Sequence, residues 1–404
     1  MFPVLLRALG LFFAVSLLAA EKPFHRAELI FPQESWHNHS SCIVEAPDGD
    51  LFVTWFHGSG ERKADDVRVE AARLKRGKRA WSPRFTLADT PGYPDCNPLL
   101  HVDDRGRLWL FHTTILANLW ESALLKSYVS SDWRRTTPPK WDRAEVLHIT
   151  PGPEFNAAIS NALPRLKALA DGQNWPEQTR REVDDFLNAM RDHAGDKLYR
   201  RLGWMGRSHP TVIGDRWLLP LYHDGFSFCL VAISDDRGAT WRPSAPIIGA
   251  GNIQACIVPR RDGSLVAYMR DNGPPPKRLQ VAESRDRGET WTAGVDSEIP
   301  NPGSGADVIA LRDGTWAYLG NDTEKGRHSL AVWLSDDEGR SWKVRRHLEL
   351  AEAEAGSSFG YPSLIQSRDG SLHASYSFHE KKGGAIKHAH FNAAWVRQSG
   401  CSVR

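Results

Sequence analysis

Five residues able to do chemistry stand at or near the starts of otherwise apolar runs: His39, Asn97, His209, Gln254 and Tyr361. An imidazole exchanges protons near neutral pH, so His39 and His209 beside a phenol make a set that takes up or delivers a proton. A tyrosine is also a nucleophile, provided that something eases removal of a proton whose ordinary pKa is about 10. Cationic residues suited to an anion follow. Arg270 ends a run in YMRDN, Arg278 ends the proline-rich segment RDNGPPPKR, and Arg327 opens KGRHSLAVWLS. A guanidinium binds a carboxylate through two parallel hydrogen bonds. The loop HGSGERKADD adds Glu61, Asp65 and Asp66 as candidate acid/base carboxylates.

These residues make a site only if the fold gathers them from across the chain. Four of the five lie nine or ten residues before a turn glycine. The turns are at Gly49, Gly106, Gly214, Gly263, Gly314 and Gly370, in segments such as IVEAPDGDLFVTW and CIVPRRDGSLVAYM. Asp-Gly between β-rich apolar runs is the strongest short hairpin signal. Counting back nine or ten residues reaches His39 and Ser40, Cys96 and Asn97, Ile253 and Gln254, Ser304 and Gly305, and Gly360 and Tyr361. The turn at Gly214 is one residue shorter, and there His209 takes the equivalent place.

The turns recur about every fifty residues, with one step roughly twice as long, which marks a repeat architecture. A second motif keeps the same period: SDDRGATW from Ser234, SRDRGETW from Ser284 and SDDEGRSW from Ser335. Its Asp bonds the local backbone, its Gly takes a positive φ, and its Trp anchors the turn by burying a large ring. These boxes are staples and carry no chemistry of their own. Six hairpins, several continued by a further strand, predict an all-β chain folded as a six-bladed β-propeller. In a propeller every inner strand begins at the central channel, so the five polar residues converge there and line a ligand site.

The long step holds an exception. From about 153 to 202 the apolar residues fall at helical spacing in AAISNALPRLKALADG and PEQTRREVDDFLNAMRDHAGDKLYRRL, predicting a helical insertion between blades two and three. It caps the propeller face, contacts a partner or merely decorates the fold. The first twenty residues read as a secretory signal peptide: one Arg, an apolar stretch from Ala8 to Ala20, and small residues before Glu21. The mature propeller domain then spans 21–404, is secreted or periplasmic, and has no stable membrane insertion once the leader is removed.

Cys42, Cys229 and Cys256 sit in apolar runs as small hydrophobes, Cys96 begins an inner strand near the site, and Cys401 is terminal. Five irregularly spaced cysteines are no disulfide framework. His37, His39, His57, His209 and His223 lack the paired spacing of metal ligands, and no metal or cofactor is implied. A net charge of +2 argues against a nucleic-acid binder, which usually shows a strong basic stripe. Nothing in the residues speaks to oligomeric state.

In-register Ser-Asp boxes on a six-bladed propeller behind a signal peptide resemble the sialidase superfamily, in its BNR or Asp-box branch. The resemblance covers the mature chain outside the helical insertion. It implies a tyrosine nucleophile, for which Tyr361 in FGYPSL stands in place, and three carboxylate-binding arginines, of which Arg270 and Arg327 match two. It also implies an acid/base carboxylate in the loop carrying Glu61, Asp65 and Asp66. Two departures are visible. His39 stands where the first arginine belongs, and Gln254 stands where a glutamate would activate the tyrosine. A glutamine cannot accept the phenolic proton as a carboxylate does.

The expected function is therefore a secreted, exo-acting glycoside hydrolase of sialidase type that releases a terminal acidic sugar from a glycan. Catalytic candidates are Tyr361, His39, Gln254, Glu61, Asp66 and His209; substrate-binding candidates are Arg270, Arg327, Arg278 and Asn97. Two alternatives stay open: a polysaccharide lyase acting on uronic acids through His and Tyr, and a carbohydrate-binding propeller without turnover.

Overall fold

The computed structural model describes residues 21–398 other than 136. The expected signal peptide and Cys401 lie outside the described residues. Six antiparallel sheets follow one another along the chain as blades of a propeller. Their inner strands are His37–Glu45, Asp95–Val102, Met205–Gly206, Asn252–Pro259, Asp307–Ala310 and Ser358–Gln366. All six predicted turn glycines have positive φ, between 63° and 96°.

The ring closes by a device the sequence did not announce. The first strand, His25–Leu29, pairs antiparallel with the last, Gly383–Phe391, and becomes the outer strand of the sixth blade. Both ends of the described chain therefore share one sheet, and the outer edge of Gly383–Phe391 is paired.

The Ser-Asp boxes join third to fourth strands. Third strands run in the same direction as inner strands, so the boxes lie on the face opposite the inner-strand starts. In the first, Ser234 Oγ donates to Asp236 Oδ1 at 2.8 Å and accepts from Gly238 N at 2.7 Å, while Thr240 N donates to Asp236 Oδ1 at 2.8 Å. The other two repeat this network around Asp286 and Asp337. Trp342 is buried, and Trp241 and Trp291 pack against neighbouring cores.

The insertion is helical, as expected: α1 (Glu154–Asp171), α2 (Glu177–Gly195) and the short α3 (Lys197–Arg201). Phe155, Ile159 and Leu163 of α1 and Leu187 and Met190 of α2 share one core with Trp217, Phe226 and Phe228 of blade three. Arg165 Nη2 donates to Ile248 O at 2.9 Å. The insertion is thus fastened to the propeller by burial and by a tether. No helix among the described residues is long and apolar enough to cross a membrane.

Candidate functional site

Four inner strands carry the same irregularity. Their pairing with the second strand slips at His39/Cys42, Cys96/Leu99, Ile253/Cys256 and Gly360/Ser363. At each slip a non-glycine residue takes left-handed φ: Ser40 at 56°, Asn97 at 51°, Gln254 at 57° and Tyr361 at 52°. Such a conformation costs on the order of 1–3 kcal/mol per residue and persists where the surroundings over-determine it, commonly at functional sites. Each bulge re-aims a side chain at the channel mouth. In the fifth blade Gly305 occupies this place. A Cβ there would come within 3.1 Å of Gln254 Oε1 and 3.2 Å of Arg207 Nε, so the missing side chain makes room for both.

The bulges surround a cavity of about 280 Å³ at the channel mouth. His39, Glu61, Asn97, Gln254, Arg270, Arg327 and Tyr361 all line it, joined by Tyr222 and Asp224. At its centre the Tyr361 phenolic oxygen accepts from Arg270 Nη1 at 2.7 Å and from Gln254 Nε2 at 3.2 Å. Three guanidinium groups ring the aromatic face: Arg207 at 5.1 Å, Arg327 at 5.2 Å and Arg270 at 6.0 Å from the centroid. Burial pushes the phenol up, yet Arg270, Arg327 and Arg207, with the Gln254 hydrogen bond, outweigh it and hold Tyr361 below its ordinary value. Donors and positive charge favour the phenolate where no glutamate stands to take the proton.

The His39 and Tyr361 rings lie 4.2 Å apart between centroids, tilted by 55°. Burial, and then His37 and Arg327, hold His39 well below the usual imidazole range, so it is neutral. It cannot stand in for a permanently charged arginine. Arg207 supplies the third guanidinium from blade three. It is 2% exposed, and its Nη2 donates to Pro362 O at 2.7 Å.

Two carboxyl groups in the cavity are driven apart. Burial, offset in part by Arg270, raises Asp224 to about 6. Glu61 sits 3.2 Å from His37 Nε2, and that hydrogen bond holds it below its ordinary value despite burial. Environments that separate two carboxyl pKa values mark an acid and an anion.

Three sequence candidates lie elsewhere. His209 is one pleat repeat below Arg207. Its Nε2 is 3.2 Å from Cys42 Sγ and its Nδ1 is 3.8 Å from Asp307, so it faces the deeper channel. Asp66 accepts from Ser59 N at 3.0 Å and Ser59 Oγ at 2.9 Å, stapling its own loop. Arg278 pairs with Glu324 at 2.6 Å on the surface. Cys42 is therefore partnered and is more than a packed hydrophobe, and Cys96 is buried outside the cavity lining.

Sequence reasoning missed Arg207, Tyr222 and Asp224. Arg207 lay two residues from the count at the short third-blade turn. Tyr222, whose Oη accepts from Asn97 Nδ2 at 3.1 Å, and Asp224 end and follow a second strand, which the inner-strand count ignores. Arg270 ends a second strand in the same way, so inspecting the corresponding position in other blades would have found both. Among the described residues no group of three His, Cys, Asp or Glu side chains is placed to hold a metal.

A six-bladed propeller that centres a bulge-held tyrosine among three arginines is built on the sialidase plan. The BNR repeat-like domain family model matches residues 49–374, and the chain belongs to that family. A sialidase of Paraclostridium sordellii is 28% identical over 130 residues, 28% of this chain and 31% of that protein, so the match spans about a third of that relative. The Hadza microbial sialidase Hz136 superposes with a TM-score of 0.64 at 16% identity, covering 89% of this chain and 66% of its own. The intramolecular trans-sialidase from Ruminococcus gnavus, solved with oseltamivir carboxylate, gives 0.65 at 13%, covering 90% and 96%. A protein of unknown function from Dyadobacter fermentans gives 0.65 at 16%, covering 91% and 99%. These structural likenesses speak to the fold.

Proposed function

We propose that the protein is an exo-acting glycoside hydrolase that releases a terminal acidic sugar, with Tyr361 as nucleophile and Asp224 as acid/base. The observation that carries this reading is the Tyr361 phenolic oxygen, which accepts two hydrogen bonds inside a ring of three arginines. Of these cations Arg270 and Arg327 line the cavity, and a guanidinium suits a sugar carboxylate. The kinship with the Paraclostridium sordellii sialidase agrees with it.

The Tyr361 phenolate attacks the anomeric carbon. The bond to the leaving oxygen breaks as protonated Asp224 gives that oxygen its proton. Water then attacks the anomeric carbon, Asp224 recovers a proton, and the phenolate departs. Glu61, kept ionised, favours the positive charge that develops on the ring. Double displacement retains the anomeric configuration.

The test is release of free sugar from acidic and neutral glycosides, with product stereochemistry followed by NMR. Acidic substrate should be cleaved with retention, and Tyr361→Phe should not cleave it. An unsaturated product, seen by its ultraviolet absorbance, would instead mean elimination. Binding without turnover would mean a lectin-like propeller.

A further inference from the structure

The small cavity opens toward the helical insertion. Asp224 and Asn272 line it and also line a second cavity of about 730 Å³ between the insertion and blade four. Its wall is largely aliphatic: Leu166 and Leu169 from α1, Val183, Leu187 and Met190 from α2, and Val295 opposite in sequence terms, from blade four. Leu169 and Val295 remain 48% and 55% exposed. The volume falls within the roughly 300–1,000 Å³ of small-molecule sites.

We propose that this second cavity receives a hydrocarbon aglycone of the acidic-sugar glycoside; this rests on reading the small cavity as a glycosidase site. Position is the first argument. Asp224 stands at the junction of the two cavities, so a leaving oxygen protonated there has its substituent directed into the larger one. The second argument is chemistry. A further sugar would bring hydroxyls that need partners, while three polar side chains of this wall already have partners, Gln280 Oε1 alone of their atoms being buried without one. Gln280 Nε2 donates to Ala250 O at 3.1 Å, Arg165 donates to Ile248 O at 2.9 Å, and Glu182 accepts from Gln178. Third, the floor is preformed. Asn272 N donates to Gly251 O at 2.6 Å, Lys277 Nζ donates to Gly273 O at 2.5 Å, and Pro274 to Pro276 complete that side. A rigid apolar wall binds a chain without first being ordered.

Each buried methylene strengthens binding by about fourfold. An octyl glycoside of the acidic sugar should therefore exceed the methyl glycoside in kcat/KM by at least about tenfold. Leu169→Glu, at a half-exposed position, should bring that ratio close to one and leave the methyl glycoside unaffected. Octyl glucoside, a neutral amphiphile kept below its micellar concentration, should bind saturably by calorimetry with a negative heat-capacity change, and at least about tenfold more weakly to Leu169→Glu. Absence of saturable octyl glucoside binding overturns the inference, whatever the catalytic result. Binding with equal kcat/KM for the two glycosides overturns the aglycone role and leaves the hydrolase intact. Cleavage of neither glycoside, with octyl glucoside still bound, sinks the hydrolase reading and the aglycone role with it.

Discussion

The two faces of this propeller are built from the same strands, yet they differ in kind. On the box face three blades repeat one network of Ser, Asp and Gly almost atom for atom. On the pocket face four blades repeat one backbone bulge, but the residues carried there are His beside Ser, Asn, Gln and Tyr. Repetition of side chains serves the fold, because every blade needs the same turn. Repetition of backbone with changing side chains serves the site, because a ligand presents different groups to each blade.

That contrast fails if pocket substitutions unfold the protein or box substitutions alter chemistry. The largest effect belongs to Tyr361→Phe. Its kcat on an acidic glycoside should fall at least about a thousandfold, with the melting temperature nearly unchanged. A large loss of stability would make Tyr361 part of the core.

Next is Asp224→Asn, with an expected loss of about a hundred- to ten-thousandfold. Asp224 is raised to about 6, and it must be protonated to act as acid, so wild-type kcat/KM should fall as pH rises through about 6. A pH profile lacking that limb would remove Asp224 from the role. Arg270 contributes to Asp224 by lowering it and donates to Tyr361. Arg270→Ala should therefore cost at least about thirtyfold, or about 2 kcal/mol, and should move the alkaline limb upward. Because Arg270 touches the nucleophile, neutral glycosides should suffer as well; Arg327→Ala should discriminate more strongly against acidic ones.

Smaller effects are expected below the pocket. His209 is opposed by burial, but Cys42 and Asp307 raise it to about 9 from 6.5. A raised histidine adds stability that is complete below 6.5 and is lost as pH rises through about 9. Cys42→Ala should flatten that dependence, read as melting temperature against pH, with kcat unchanged.

The smallest effect should come from the box face. Asp337→Ala removes three hydrogen bonds, those its carboxylate accepts from Ser335 Oγ, Ser341 N and Ser341 Oγ; the bond from Asp337 N to Ser335 Oγ survives. A cost of about 1–2 kcal/mol is expected, seen as a melting shift of a few degrees with kinetics intact. Burial opposes it, but Ser341 and Ser335 hold Asp337 down to about 2. Its contribution is therefore present above the ordinary carboxylate range and fades as pH falls through about 2.

The sequence by itself determined the six hairpins, the boxes, the helical insertion and four of the five residues proposed for the ring. Each of these rests on local physics: Asp-Gly turns, period-two and helical patterns, and a near-constant distance from strand start to turn. Only the tertiary structure decided what those residues became. It brought Arg207 from blade three against the Tyr361 ring, and it sent His209 down to Cys42 and Asp307. It also turned Asp224, an ordinary aspartate in HDGFS, into a carboxyl raised to about 6. The reason is that charge and acidity depend on burial and on neighbours drawn from distant blades. No local pattern records how much water those neighbours exclude, so the raised carboxyl of Asp224 became visible only when the ring was closed.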